Sequence, residues 1–437
     1  MRILHTSDWH LGKNLEQINR LDEQREFIDF LCQAVDEQKI DLVLIAGDIY
    51  DTYNPSAASE ALFYEAVERL NNKGKRAVVV IAGNHDNPDR LCAASPLAHK
   101  DGIILLGYPG SDGGEYPLDS ENIRLLQSGP GWLELALASC GQSTVIITLP
   151  YPSESRLEEV LADKADEGIL QKAYSEKIGR ILSSLSQRFR EDTVNLVMAH
   201  LFMMGGKSSD SARTLQVGGA LTVEAEVLPA NAHYVALGHL HRPQEIRNAP
   251  CPVFYSGSPL AYSFSEAEHS KAVYIIDAVP GEKAEITPLY LSCGKPLRRW
   301  FAEEGYGQAL QWCEEGRDSN GWIDLEIVMD QVLTQEEQRR LRTLYPGIIN
   351  IRPRLKTDPV EVLSPQSREG KKIDELFKDY YKYRTGTDIS DELMGAFIEI
   401  LNDENSDEGE AFDRNGQAAG QSTVGMRGGE GDETEAS

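Results

Sequence analysis

Five segments of the sequence place an Asp, Asn or His side chain directly after a short apolar run of the kind that forms buried strands. The side chains are those of Asp8, His10, Asp48, Asn84, His200, His239 and His241. Carboxylate, amide and imidazole groups are ligands of divalent ions such as manganese, iron or zinc, and no thiolate accompanies them here. The pattern therefore indicates a metal site assembled from distant parts of the chain.

The elements that carry these side chains alternate strand-like and helix-like patterns up to about residue 275, which predicts a layered α/β fold. Ligands of open α/β sheets bind outside the carboxyl ends of the strands, so we expect the five segments to meet at one rim. His239 and His241 would be about 6.6 Å apart along a strand, which suits one histidine per metal. Two neighbouring metals can hold the attacking and leaving oxygens of a displacement at phosphorus.

The predicted strands of this region are residues 2–6, 42–46, 77–82, 144–148, 194–198, 234–237, 253–255 and 272–276. Apolar spacing predicts a helix over residues 21–35, and Asn54 with Pro55 predicts the N-cap and first turn of a helix ending at Leu70. A glycine precedes Asp48, Asn84 and His239, where it would permit a sharp turn and the approach of substrate.

Four regions are expected along the chain. The main α/β domain would cover residues 1–280, and a small α+β capping domain would cover residues 281–356. Two amphipathic helices follow over residues 357–402. The acidic, Gly-rich and Glu-rich tail over residues 403–437 is predicted to be disordered.

The composition limits the classes of partner. With a net charge of -27 over 437 residues, the chain cannot grip nucleic acid with its whole surface, so any contact with DNA must be local or depend on metal or a partner. No apolar run approaches the roughly 20 residues of a membrane span, and no signal peptide is recognisable. The six cysteines are scattered without paired spacing. A cytoplasmic protein without membrane association is expected.

The motif runs 7–12 (SDWHLG), 47–51 (GDIYD), 83–86 (GNHD) and 238–241 (GHLH), together with His200, resemble in order the five motifs of calcineurin-like metallophosphoesterases. The N-terminal DWHLG, the small domain and the helical C-terminus resemble, more narrowly, the SbcD family, which supplies the nuclease subunits of bacterial SbcCD complexes. The resemblance implies a layered metallophosphoesterase fold, a β-sandwich flanked by helices, with a small α+β capping domain and C-terminal helices.

The same resemblance implies roles for the residues. One metal would be held by Asp8, His10, Asp48 and His241, and the other by Asp48, Asn84, His200 and His239, with Asp48 bridging. Both ions would be divalent, with Mn²⁺ the expected metal, and a water activated by them would be the nucleophile. His85 would stabilise the transition state and help to protonate the leaving oxygen, and Asp51 would orient His85.

The implied activity is that of a metal-dependent nuclease, with double-strand exonuclease activity and endonuclease activity on hairpins and single strands, in DNA repair, recombination and replication. The implied partners are DNA, an SbcC-type ATPase subunit bound by the C-terminal helices, and a second copy of the chain in a homodimer. One alternative is a stand-alone phosphatase or cyclic-nucleotide phosphodiesterase with the same metals. Another is a scaffold without catalysis that tethers the ATPase.

Overall fold

The computed structural model describes residues 1–153, 155–157, 167–207, 221–330, 333–355, 375–378, 381, 389–390, 393–395 and 397. The strands are β1 (Arg2–Thr6), β2 (Asn14–Leu15), β3 (Ile18–Asn19), β4 (Leu42–Ala46), β5 (Ala77–Ile81), β6 (Ile103–Leu106), β7 (Ile123–Gly129), β8 (Trp132–Leu137), β9 (Gln142–Leu149), β10 (Val194–His200), β11 (Phe202–Met203), β12 (Thr222–Val223), β13 (Tyr234–Gly238), β14 (Gln244–Glu245), β15 (Val253–Tyr255), β16 (Ala272–Asp277), β17 (Glu285–Tyr290), β18 (Leu297–Ala302), β19 (Trp322–Met329) and β20 (Ile348–Leu355). The α-helices are α1 (Leu21–Glu37), α2 (Ala57–Asn71), α3 (Pro88–Cys92), α4 (Ser95–Ala98), α5 (Glu167–Leu185), α6 (Tyr306–Glu314) and α7 (Gln335–Leu344).

The first large sheet has the strand order β17-β16-β1-β4-β5-β6. Strands β1, β4, β5 and β6 are parallel, whereas β16 and β17 add an antiparallel edge beside β1. Every residue of β4 and β5 is buried. Because parallel strands are covered on both faces, they require continuous apolar runs of this kind.

The second large sheet has the order β14-β15-β13-β10-β9-β8-β7. Its centre is parallel, through the pairs β9 with β10, β10 with β13, and β13 with β15. The antiparallel neighbours β7, β8 and β14 complete its edges. The carboxyl ends of β10 and β13 therefore lie side by side, with His200 opposite Gly238 in the register.

The two sheets pack face to face, and helices cover their outer faces. Leu44 of the first sheet and Met198 of the second belong to the apolar layer between the sheets. Their neighbours along each strand point outward, where Phe27 of α1 packs over the first sheet and Tyr174 of α5 packs over the second. The predicted layered fold, a β-sandwich flanked by helices, is confirmed.

The predicted strands and helices of the main region are all present, with ends shifted by at most a few residues. The cap predicted for α2 is wrong, since the N-cap is Ser56, whose side chain accepts a hydrogen bond from the Ser59 amide. A hydroxyl bonded to an N–H of the first turn defines the start of a helix more directly than a proline nearby. Strands β6, β7, β8 and β17 were not predicted.

The chain divides into two compact units. The first contains Met1–Phe301, Ala309–Glu326 and Arg340–Arg352, and the second contains Ala302–Gln308, Ile327–Arg339 and the described residues from Pro353 onward. Strands β18, β19 and β20 form a three-stranded sheet in that order. The proposed division at residues 280 and 356 stays a prediction, and the C-terminal helices and acidic tail lie largely or wholly outside the described residues. Within the described part of the chain, every helix is too short or too polar to cross a bilayer.

Candidate metal centre

Seven donor side chains lie at the carboxyl ends of five parallel strands. Asp8 and His10 follow β1, Asp48 follows β4, and Asn84 follows β5 in the first sheet. In the second sheet His200 ends β10, and His239 and His241 follow β13. The two sheets meet closely here, because the Nδ1 atom of His200 lies 2.9 Å from the main-chain oxygen of Ala46 at the end of β4.

One group of donors consists of Asp8, His10 and His241, whose ligand atoms lie within 4.8 Å of one another. The Nε2 atoms of His10 and His241 are 2.9 Å apart, so both imidazoles direct the same ring nitrogen to one point. Ser7 donates a hydrogen bond to the carboxylate of Asp8, which also accepts the amide of His239 at 2.9 Å. These bonds hold the Asp8 carboxylate in place.

A second group consists of Asp48, His200 and His239. The Asn84 side-chain oxygen lies between the two imidazoles, 2.9 Å from His200 Nε2 and 2.8 Å from His239 Nδ1. Asp48 Oδ2 is 3.5 Å from His200 Nε2 and 3.6 Å from His10 Nε2. Asp48 is therefore positioned between the two groups, and His239 and His241 belong to different groups.

The electrostatics of the pocket favour cation binding. Burial raises the pKa of Asp8 to about 6 and lowers the pKa of His239 to about 3. Burial also opposes ionisation of Asp48, but the adjacent His200 and His10 hold its pKa well below the usual range. Burying several ionisable groups together is costly unless a charge compensates them. The oxygen and nitrogen donors, turned toward common points, fit divalent ions of borderline hardness.

Four of the seven donors have left-handed backbone conformations. The φ angles are 52° at Asp8, 46° at His10, 51° at Asp48 and 108° at His239. Such conformations in residues other than glycine cost about 1–3 kcal/mol each and persist where the surrounding structure enforces them. Hydrogen bonds between the loop after β1 and the loop after β4 hold these conformations. The Asp8 amide donates to Gly47 O at 2.9 Å, and the His10 amide donates to Asp48 O at 3.0 Å.

The three glycines before the donors serve two purposes within the fold, and their effect on the approach of substrate stays a prediction. Gly47 has φ +90°, which makes it a turn glycine. A Cβ on Gly83 would lie 2.1 Å from Asp48 Oδ1, and a Cβ on Gly238 would lie 1.9 Å from Ala46 O. Gly83 and Gly238 are thus required because the loop at Asp48 passes against the first and the end of β4 passes against the second.

His85 lies at the edge of the pocket. Its ring is 4.8 Å from the ring of His10, and its amide donates to Asp48 Oδ1 at 2.9 Å. Its Nδ1 is 2.7 Å from the main-chain oxygen of Asp51. The Asp51 carboxylate accepts a hydrogen bond from Lys13 Nζ at 2.6 Å and lies 3.6 Å from His10 Nδ1, and it comes within 4.8 Å of a ring nitrogen of His85 without a direct hydrogen bond to it. The contact between Asp51 and His85 therefore uses the carbonyl and not the side chain that the sequence suggested.

Comparison with known proteins finds two family models and two named relatives that match this chain. The family model for calcineurin-like phosphoesterases matches residues 1–243, and the model described as the type 5 capsule protein repressor C-terminal domain matches residues 293–385. The chain is 46% identical to SbcD, the nuclease subunit of SbcCD, from Bacillus subtilis over 92% of this chain and 97% of that protein. It is 31% identical to the SbcD protein of Staphylococcus epidermidis, over 80% of this chain and 84% of that protein.

This chain belongs to the SbcD family of calcineurin-like phosphoesterases. The family resemblance predicted from the five motifs is confirmed, and with it the class of metal-dependent phosphoesterase. A solved dimetal phosphatase from Danio rerio also overlaps 66% of this chain and 98% of its own, at 13% identity and a TM-score of 0.36.

One residue of this phosphoesterase centre to which the sequence analysis gave no role is Asp86. Its buried carboxylate accepts three main-chain amides, from Gly83 at 2.8 Å, Tyr50 at 2.9 Å and Ile49 at 3.1 Å. Asp86 therefore ties the loop after β5 to the loop after β4. Its place in the GNHD run could have indicated this role. A carboxylate that follows a buried strand is itself expected to be buried, and a buried carboxylate needs hydrogen-bond donors.

Further supporting residues come from segments without a recognisable motif. His200 Nδ1 is 2.9 Å from Ala46 O, a hydrogen bond to a carbonyl that leaves Nε2 facing the pocket. Ser7 is also 2.8 Å from the hydroxyl of Ser256, which follows β15. Because an isolated serine after a strand is common in loops, local sequence carries no signal for this contact.

Proposed function

We propose that this chain is the DNA-cleaving subunit of an SbcCD-type complex, a metal-dependent double-strand exonuclease and an endonuclease on hairpins and single strands. One observation carries the proposal. Seven donors form two adjacent groups with Asp48 between them, and His85 stands at their edge. The two SbcD relatives, of which this chain covers most of the length, carry the name of nuclease. That name supports DNA as the substrate.

The two groups are proposed to hold two divalent ions. Asp8, His10 and His241 would bind one, Asn84, His200 and His239 would bind the other, and Asp48 would contact both. Bound there, two such ions supply Lewis-acid polarisation of a phosphodiester and activation of water. Mn²⁺ is the proposed metal because the family resemblance implies it, and the nitrogen and oxygen donors are compatible with it as they are with iron or zinc.

His85 is proposed to be the proton-transferring residue. The carbonyl of Asp51 can only accept, so His85 Nδ1 carries the proton of that hydrogen bond. Nε2 is then the ring atom that can exchange a proton with substrate. The imidazole is only partly buried, which leaves it accessible at the rim of the pocket. General acid–base catalysis of this kind contributes about 10²–10⁴ in rate.

Binding of an SbcC-type ATPase belongs to the same proposal, supported by the relatives' description as subunits of SbcCD. Binding of a second copy of the chain stays a prediction. Cytoplasmic location stays a prediction. A stand-alone phosphatase or cyclic-nucleotide phosphodiesterase would use the same donors, but similarity over 97% of the Bacillus protein extends far beyond the phosphoesterase motifs. The non-catalytic scaffold is disfavoured because all seven donors are present and converge.

The test uses the full chain with Mn²⁺, with and without the ATPase subunit, on hairpin DNA, linear duplex and a chromogenic phosphodiester. We expect DNA cleavage by the wild type and, for His85→Ala, a loss of about 10²–10⁴ with both metals still bound. The matched control is His99→Ala, which removes an imidazole bonded to a main-chain oxygen, Gly113 O, at 2.7 Å and assigned to neither donor group. Hydrolysis of the small ester without DNA cleavage, even with the ATPase, would exclude the nuclease.

A further inference from the structure

A buried ion pair lies directly behind the donor His241. Glu266 is 1% exposed and Lys271 is 7% exposed, and Lys271 Nζ is 2.6 Å from Glu266 Oε2. The same ammonium donates to Ser258 Oγ at 2.8 Å and to the main-chain oxygen of His241 at 2.9 Å. Lys271 therefore connects the carboxylate of Glu266 to the backbone that carries the histidine.

The other carboxylate oxygen of Glu266 faces the imidazole itself. Oε1 lies 3.6 Å from His241 Nδ1, while His241 Nε2 lies 2.9 Å from His10 Nε2 in the donor pocket. The ring thus has one nitrogen toward the proposed metal and the other toward a carboxylate. A carboxylate behind a ligand histidine fixes the ring orientation and the tautomer and makes the ligating nitrogen more basic.

The two donor groups differ in this support. His200, in the group with Asp48, has a neutral main-chain oxygen, that of Ala46, behind its Nδ1 at 2.9 Å. His241, in the group with Asp8, has a charged carboxylate instead. A buried ion pair is a weak source of stability, since desolvation of both charges offsets their attraction. The position of the Glu266–Lys271 pair is therefore better explained by the histidine that it faces.

We propose that Glu266, held by Lys271, is a positioning residue that orients His241 and strengthens the metal site of Asp8, His10 and His241. The inference rests on the proposed two-metal function. Its consequence is an asymmetry, because loss of the Glu266 charge weakens one of the two ions and leaves the ion held by Asn84, His200 and His239 unchanged. Removal of such a supporting carboxylate costs about 10- to 100-fold in metal affinity.

The test compares Glu266→Gln with Glu268→Gln in the full chain. Glu268 is an exposed carboxylate two residues away, so its variant controls for charge and for the local segment. Mn²⁺ binding is titrated by calorimetry with a metal count, and the melting temperature is measured in chelator. We expect Glu266→Gln to bind one ion about 10- to 100-fold more weakly and the other normally. Its metal-free melting temperature should also fall, because Lys271 stays buried without its carboxylate, but a loss of stability alone would weaken both ions alike.

Three results would overturn the inference: wild-type affinity for both ions in Glu266→Gln, equal loss of both ions, or the same loss in Glu268→Gln. Failure of the proposed two-metal site is distinguishable, since the wild type would then itself bind fewer than two ions. Failure of DNA cleavage alone would leave two ions bound and the comparison of the variants valid. If Glu266→Gln does not fold, ¹⁵N-histidine NMR of the metal-free wild type decides, because no metal on Nε2 then fixes the tautomer of His241. We expect the His241 proton on Nδ1, and a proton on Nε2 would contradict the proposal.

Discussion

Substitution of Gly83 by alanine tests whether the two central loops must touch. The added Cβ would lie 2.3 Å from the main-chain nitrogen of Asp48 and 2.1 Å from its Oδ1. Ordinary van der Waals contact begins near 3.4 Å, so the loops would have to separate by about 1 Å. Asp86 resists that separation, because its carboxylate bonds to the amides of both Gly83 and Ile49.

The size of the effect follows from the displacement. A misplacement of about 1 Å in a catalytic constellation costs on the order of 100-fold in rate. Overpacking of a close contact costs about 1–3 kcal/mol of stability. For Gly83→Ala we therefore expect DNA cleavage to fall about 100-fold and Mn²⁺ to bind more weakly, because Asp48 and Asn84 move apart. The melting temperature should fall by a few degrees.

The assay measures cleavage rate against Mn²⁺ concentration for Gly83→Ala and for Gly110→Ala. Gly110 has no atom within 4 Å of the position that its Cβ would take, so that variant should behave as the wild type. Wild-type rate and Mn²⁺ affinity in Gly83→Ala would refute the reasoning, because they would mean that the loops can separate without disturbing the donors.

Two further substitutions test individual contacts. Asp51→Asn keeps the main-chain oxygen that bonds His85 and removes the carboxylate 3.6 Å from His10 Nδ1, so we expect Mn²⁺ affinity to fall but cleavage at saturating Mn²⁺ to fall less than about tenfold, against the 10²–10⁴ of His85→Ala; a loss at saturating Mn²⁺ as large as that of His85→Ala would show that the carboxylate does orient His85. Arg76 is buried and donates to the main-chain oxygens of Ile40, Leu70 and Val35, so Arg76→Met should lower the free energy of unfolding by about 3 kcal/mol with Mn²⁺ binding intact. Thermal melting measures this loss of stability, with Arg180→Met, a substitution of an exposed arginine, as the control. Equal melting temperatures for the two variants would contradict the prediction.

The sequence alone determined the strands that carry the donors and the end of each strand at which the donors lie. Parallel strands covered on both faces must be continuous apolar runs, which makes β4, β5, β10 and β13 readable without a structure. Polar ligands follow those runs immediately, so their order along the chain was visible too. Strands β7 and β17 were missed because each is an edge strand with many exposed residues and lacks such a run.

Only the tertiary structure decided which atoms meet. The family resemblance already assigned His10 and His241 to one metal, but only the fold shows that their Nε2 atoms, 231 positions apart in sequence, are the ring nitrogens that meet. Glu266 and Lys271 come to stand behind His241, and the carbonyl of Asp51, not its carboxylate, meets His85. Local sequence patterns report the preferences of neighbouring residues for helix, strand or turn. Contacts between distant residues depend instead on how the two sheets pack. Packing brings some backbone segments so close that a side chain between them would clash, as at Gly83 and Gly238.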